Sequence, residues 1–106
     1  MTDNHERLAD MLACIERISA TASAGRQAFD DDADKQDAIL YRLQTIGEAA
    51  NHLTRDFREQ HPEVPWQTII DLRHILVHGY DQIDLDRIWG IVENRVPELL
   101  RLLNAL

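Results

Sequence analysis

Between Glu48 and Tyr80 the sequence concentrates groups that move protons or hold charge. The stretch Asp71-Leu72-Arg73-His74-Ile75-Leu76-Val77-His78-Gly79-Tyr80 sets an aspartate, an arginine, two histidines and a phenol in otherwise apolar surroundings. Arg or His buried without a partner is expensive, so these groups must be paired or placed for use. Asp71 could pair with Arg73 or His74. Arg73 could hold a phosphate and stabilise charge on it. His78 could remove a ribose hydroxyl proton or protonate a leaving oxygen near neutral pH. Such a set suits phosphodiester cleavage, and that chemistry requires no metal. On a continuous helix Arg73 and His78 stand about 140° apart. Gly79 relieves this, because a helix ending at His78 lets the imidazole turn, while Arg73 and Tyr80 fall near one face.

Spacing alone leaves two other readings of these residues. Arg73, His74 and His78 could serve only as polar contacts within or between subunits. His74 and His78 are also four apart, as are Glu48 and His52, and such pairs can ligate zinc or iron inside a bundle. Sites of that kind draw ligands from all four helices, and His5, Glu6 and Glu16 of the first helix show no paired spacing. The expectation is therefore no metal and no cofactor.

Helices must position these groups. Leu8, Met11, Ile15, Ile18 and Ala22 repeat at intervals of 3 and 4, one stripe of an amphipathic helix, with Thr2, Asp3 or Asn4 available to cap it. Cys14 beside the stripe reads as a core thiol. Residues 23–34 break the pattern: Gly25 can end the first helix, and Asp30, Asp31, Asp32 and Asp34 read as a solvated loop with a helix cap, anchored by Phe29. A second helix is predicted from Asp34 to Glu59, on Ile39, Leu43, Ile46, Ala50, Leu53 and Phe57. Gly47 inside it costs about 1 kcal/mol against Ala and marks a close approach by another backbone. Pro62 and Pro65 stop that helix, and Pro65 suits the first turn of a third, which carries Trp66, Ile69, Ile70, Leu72, Leu76 and Val77 to Gly79. Tyr80–Ile83 reads as a turn, and Asp84 caps the last helix. That helix carries Leu85, Ile88, Trp89, Val92, Val96, Leu99, Leu103 and Leu106, with a kink expected near Val96 because Pro97 interrupts it. Trp66 and Trp89 read as core or interface residues, Tyr41 as either, and His5 and His61 as exposed. The expected fold is all-α, an up-and-down bundle of four to five helices spanning 1–106 as a single domain.

Composition narrows the function. The chain has 106 residues, 44% of them hydrophobic, enough for one compact core. Its single cysteine cannot form an intramolecular disulfide, which suits a reducing compartment. The polar start, Met1 to Asp10, holds no signal-peptide core, and no apolar run approaches the ~18 residues that span a bilayer. The expected location is cytoplasmic, without a membrane partner. A net charge of -8 excludes nucleic-acid binding by bulk electrostatics. Any RNA or DNA contact must be local; in a dimer, two copies of Arg73 with Arg55, Arg58 or Arg87 could supply one. Ten of the eleven cations are Arg, the better residue for bidentate phosphate contacts.

The segment Arg73 to Tyr80 matches R-x4-H-x-Y, and in this it resembles the HepT-like toxins of the HEPN ribonuclease superfamily. Ile46-Gly47-Glu48-Ala49-Ala50 is similar to that family's I-G-E-A helix, and Pro62-Glu63-Val64-Pro65-Trp66 to its proline-tryptophan turn. Asp81 to Asp84, Ile88-Trp89 and Val96-Pro97-Glu98-Leu99 are similar to its closing stretch, so the likeness runs from about Arg7 to Leu103. It implies a HEPN-like all-α homodimer whose paired motifs line a cleft. It implies a metal-independent endoribonuclease with Arg73 and His78 as the catalytic pair. It also implies a partner, a minimal nucleotidyltransferase antitoxin, which transfers AMP to Tyr80 and silences the nuclease. An adenylate there would put bulk and negative charge where RNA phosphate must sit. Many relatives carry Asn where this chain has His74, which still offers a hydrogen-bonding group and could share acid/base work or orient His78. Glu48 carries over as a supporting partner of Arg73. A non-catalytic helical dimer that binds the transferase and is only its substrate remains the alternative.

Overall fold

A computed structural model describes residues 3–75 and 84–106. The expected helix end at Gly79, the turn at 80–83, and His78 and Tyr80 themselves lie outside those residues. All the regular structure among the described residues is helical. Seven α-helices follow in order: α1 (Asn4–Ala22), α2 (Arg26–Asp31), α3 (Ala33–Asn51), α4 (Arg55–Gln60), α5 (Trp66–Asp71), α6 (Leu85–Gly90) and α7 (Val96–Asn104). A 3₁₀ turn, Leu72–His74, extends α5, and a π-helical turn, Ile91–Arg95, joins α6 to α7.

The core is built on α1 and α3, the two longest helices. Met11, Ile15 and Ile18 of α1 meet Ile39, Leu43 and Ile46 of α3, all essentially sealed from solvent. Asp3 caps α1 by accepting from the His5 amide at 2.9 Å. At the start of α1, Asn4 exchanges two hydrogen bonds with Thr54, just beyond the end of α3. The Asn4 side-chain amide donates to Thr54 Oγ1 at 3.1 Å, and the Thr54 amide donates to Asn4 Oδ1 at 3.0 Å. The start of one helix at the end of the other makes the pair antiparallel. Helix α5 packs on α3, while α7 closes against α1. Cys14 is buried as expected, and Trp66 joins the core.

The structure refines four of the expected elements. The predicted acidic loop contains a helix, α2, because burial of Phe29 against Trp89 (centroids 5.3 Å apart) and the pairs Arg26–Asp30 and Gln27–Asp31 outweigh the poor helix propensity of Asp. Asp32 ends it and caps α3, accepting from the Asp34 and Lys35 amides. The helix predicted to run to Glu59 breaks at His52–Thr54. There Thr54 turns extended, caps α4 through the Phe57 amide at 3.2 Å, and holds Asn4. The apolar spacing runs through the break, so periodicity did not expose it. The expected kink before Pro97 is a π turn: proline cannot donate, and its ring would strike the carbonyl four residues back in a regular α-helix. Leu106, assigned to the last stripe, is exposed.

Two aromatic positions also resolve. Tyr41 is 59% exposed, with the Arg42 guanidinium over its ring, so it is no core residue of this chain. His61 is half-buried rather than exposed, its ring tilted against Phe57 with centroids 4.6 Å apart, and its carbonyl accepts from Trp66 Nε1 at 2.9 Å. That bond ties the α4–α5 link to the first residue of α5 and sets where α5 begins.

Candidate active site

Arg73 is carried on the 3₁₀ turn that follows α5. Ile69 and Ile70 press α5 into the core, and the chain tightens directly after them. The turn rests on α3 at Gly47. A Cβ at Gly47 would lie 2.7 Å from Arg73 N, 3.0 Å from Ile69 O and 3.0 Å from Ile70 O. The close approach expected of this glycine is therefore real, and the approaching backbone is the one that bears Arg73. One helical turn before Gly47, the Gln44 side-chain amide donates to the Arg73 carbonyl at 3.4 Å.

The Arg73 Nε donates to His74 Nε2 at 3.2 Å. This contact requires a neutral His74 with its proton on Nδ1. Among the described residues no carboxylate pairs with Arg73. Its guanidinium is engaged by an imidazole and, among the described residues, by no acid.

Two expected partners are engaged elsewhere. Asp71 is exposed and accepts from Gln67 Nε2 at 2.9 Å, not from Arg73 or His74. It belongs to the last turn of α5, where the residue four back lies on its face, whereas the 3₁₀ turn swings Arg73 away. Glu48 is exposed and lies 3.6 Å from His52 Nδ1, with no contact to Arg73 among the described residues. Gly47, not Glu48, is the part of Ile46-Gly47-Glu48-Ala49 that faces the Arg73 turn. Glu48 and His52, which could have formed half of a metal pair, face each other, and the described residues hold no group of three metal-ligating side chains. Spacing missed Gln44, because a side chain that supports a distant carbonyl leaves no local pattern.

An open groove of about 590 Å³ adjoins the turn, between α3, α5 and the α6–α7 arm. Leu72 and Ile75, which flank Arg73 and His74, contribute to its lining together with Leu43, Ile46, Leu99 and Leu102. Its charged lining is mixed: Asp71 and Glu98 against Arg87 and Arg95. Arg87 has no ion pair among the described residues, while Arg55 is engaged by Glu59 at 2.9 Å. Of the arginines expected near Arg73, Arg87 is the one that lines this groove.

The family model described as "Ribonuclease HepT-like" matches residues 11–106. The chain belongs to the HepT-like ribonuclease family. It is 32% identical over 97 residues to the "Probable ribonuclease HepT" of Thermococcus cleftensis, covering 92% of this chain and 86% of that protein. It is 44% identical over 62 residues to the "Putative RNase MJ1380" of Methanocaldococcus jannaschii, covering 58% of this chain and 57% of the relative. In the same organism it is 38% identical over 64 residues to the "Gamma-glutamylcyclotransferase and putative RNase MJ0434", covering 60% of this chain and 29% of that protein. The chain thus spans about half, or less, of the length of these last two. No solved structure matches it. Among the described residues no helix is long and apolar enough to cross a membrane. In this HepT-like chain the Arg73 guanidinium has no carboxylate partner among the described residues, and the turn that carries it adjoins the groove through Leu72 and Ile75.

Proposed function

We propose that this HepT-like protein is a toxin that cuts RNA as a metal-independent endoribonuclease in the cytoplasm. The observation that carries the reading is Arg73: a guanidinium with no carboxylate partner among the described residues, fixed on a turn that rests on α3. Arg73 holds the scissile phosphate and stabilises the charge that grows on it in the transition state. His78 moves the proton, either from the attacking ribose hydroxyl or to the leaving oxygen. Two copies of the chain form the working unit, and their Arg73 turns face a shared cleft. The groove beside the turn supports that reading through its apolar lining, Leu72, Ile75, Leu99 and Leu102, which a second copy would cover; of its charged residues Arg95 already pairs with Glu98 in the same chain. The dimer also doubles Arg73 and Arg87 at one place, concentrating positive charge inside an acidic shell.

A minimal nucleotidyltransferase antitoxin silences the toxin by placing AMP on Tyr80. The adenylate sets a negative phosphate against the site that must receive RNA phosphate. The test is RNA cleavage by unmodified protein in excess EDTA, with Arg73→Ala and His78→Ala beside the wild type. Cleavage by wild type alone is expected. Loss of the general acid/base lowers the rate about 10²- to 10⁴-fold, and loss of the charge-stabilising donor about 10²- to 10³-fold. Equal cleavage by all three would point to a contaminant. No cleavage by any, with Tyr80 free of AMP, would favour the non-catalytic dimer that only receives the modification.

A further inference from the structure

We propose that Gln44 and Gly47 of α3 are positioning residues for Arg73, an inference that rests on the nuclease reading above. The two stand three apart and share a helix face. Their contacts converge on the two ends of one residue. Gly47 abuts the Arg73 nitrogen, and Gln44 donates to the Arg73 carbonyl at 3.4 Å. The peptide planes on both sides of Arg73 are thereby held against α3, and those planes set the direction in which its side chain leaves the backbone. Such support matters here, because 3₁₀ turns are short and their own hydrogen bonds are poorly aligned, and no side chain caps this one. The neighbouring contacts of Gly47, to the carbonyls of Ile69 and Ile70, extend the same seat back into α5. Neither residue touches substrate. Both act through the placement of the guanidinium.

The experiment is single-turnover RNA cleavage by full-length Gln44→Ala, Gln44→Glu, Gly47→Ala, Arg73→Ala and the Gln44→Ala/Arg73→Ala double variant, with amide exchange measured on each. Gln44→Ala is expected to lower the cleavage rate about tenfold, the equivalent of one net hydrogen bond. Gln44→Glu should lose more, because a carboxylate cannot donate to the carbonyl it faces. Gly47→Ala should lose about 10²-fold, as for a reacting group displaced by about 1 Å. Apparent RNA affinity should stay within about threefold of wild type for Gln44→Ala, since a merely misaimed group affects the transition state most. In the Arg73→Ala background, Gln44→Ala should add no further loss, because residues acting through one group are not additive. Amides 72–75 should exchange faster in Gln44→Ala while those of α1 stay protected. Wild-type rates and exchange in both Gln44 variants would overturn the proposal, as would a Gln44 loss that adds fully to that of Arg73→Ala. Should the wild type cut no RNA, the nuclease reading falls by itself. Exchange at 72–75 then decides the seat: faster in Gln44→Ala sustains it, unchanged removes it.

Discussion

Replacing Gly47 by Ala sets two known effects against each other, and the structure says which wins. In a helix interior Ala is favoured over Gly by about 1 kcal/mol. The new Cβ, however, would meet Arg73 N at 2.7 Å and the carbonyls of Ile69 and Ile70 at 3.0 Å. Ordinary carbon contacts sit near 3.5–4.0 Å. All three obstacles are backbone atoms on α5 and its 3₁₀ extension, so no side-chain rotation relieves them. Helices α3 and α5 must separate by roughly 1 Å, and overpacking of this kind costs about 1–3 kcal/mol. The net expectation is a loss of up to about 2 kcal/mol, which lowers the unfolding midpoint by up to about 16 °C in a domain of this length. Gly90 is the internal control. It has helical angles (φ -59°, ψ -40°), and a Cβ there would meet nothing within 4 Å. Gly90→Ala should therefore stabilise by up to about 1 kcal/mol. Urea unfolding followed by far-ultraviolet circular dichroism measures both. A Gly47→Ala protein as stable as Gly90→Ala would refute the close packing of α3 on the Arg73 turn.

Four further outcomes are expected. Phe29→Ala should destabilise by about 3–5 kcal/mol, because a fully buried ring is lost, and should alter Trp89 fluorescence through the 5.3 Å contact. Thr54→Ala should cost about 1 kcal/mol by removing the cap of α4, and Asn4→Ala, which breaks the other half of the same junction, should add less than its own loss when combined with it. Burial pushes the Cys14 thiol above its ordinary pKa near 9, so it should resist a disulfide reagent at pH 8 until the chain unfolds. A raised thiol pKa means the folded state keeps its proton longer, so this contribution to stability is present below pH 9 and fades as the pH climbs through the folded value; Cys14→Ala should flatten that alkaline loss. Tyr80→Phe should still arrest growth when expressed with the transferase, because the hydroxyl that would receive AMP is gone; silencing of that variant would refute the modification site.

Much of this molecule is readable from residue spacing, and the reason is local. The stripes of α1, α3 and α7, a cap among Thr2, Asp3 and Asn4, a cap within the acidic run, the cap Asp84, and the disturbance before Pro97 follow from backbone sterics and from which face of a helix is apolar. The order of chemistry-bearing residues, Arg73 through Tyr80, is equally a property of the chain. Even the role of Gly47 is visible, since a glycine that weakens a helix implies a neighbour too close for a side chain. What lies close to Gly47 is not visible, because the partner backbone is more than twenty residues away. Tertiary packing alone decided that it is the Arg73 turn and that Gln44 meets the Arg73 carbonyl; the turn of Glu48 to His52, four residues on, is local and legible in the spacing. Packing also decided the break before Thr54, where hydrogen bonds to Asn4, fifty residues earlier, complete an end that the apolar register conceals. Periodicity reports which face of each helix seeks the core; which atoms then meet is set by how the helices stack, and in this protein that meeting places the arginine.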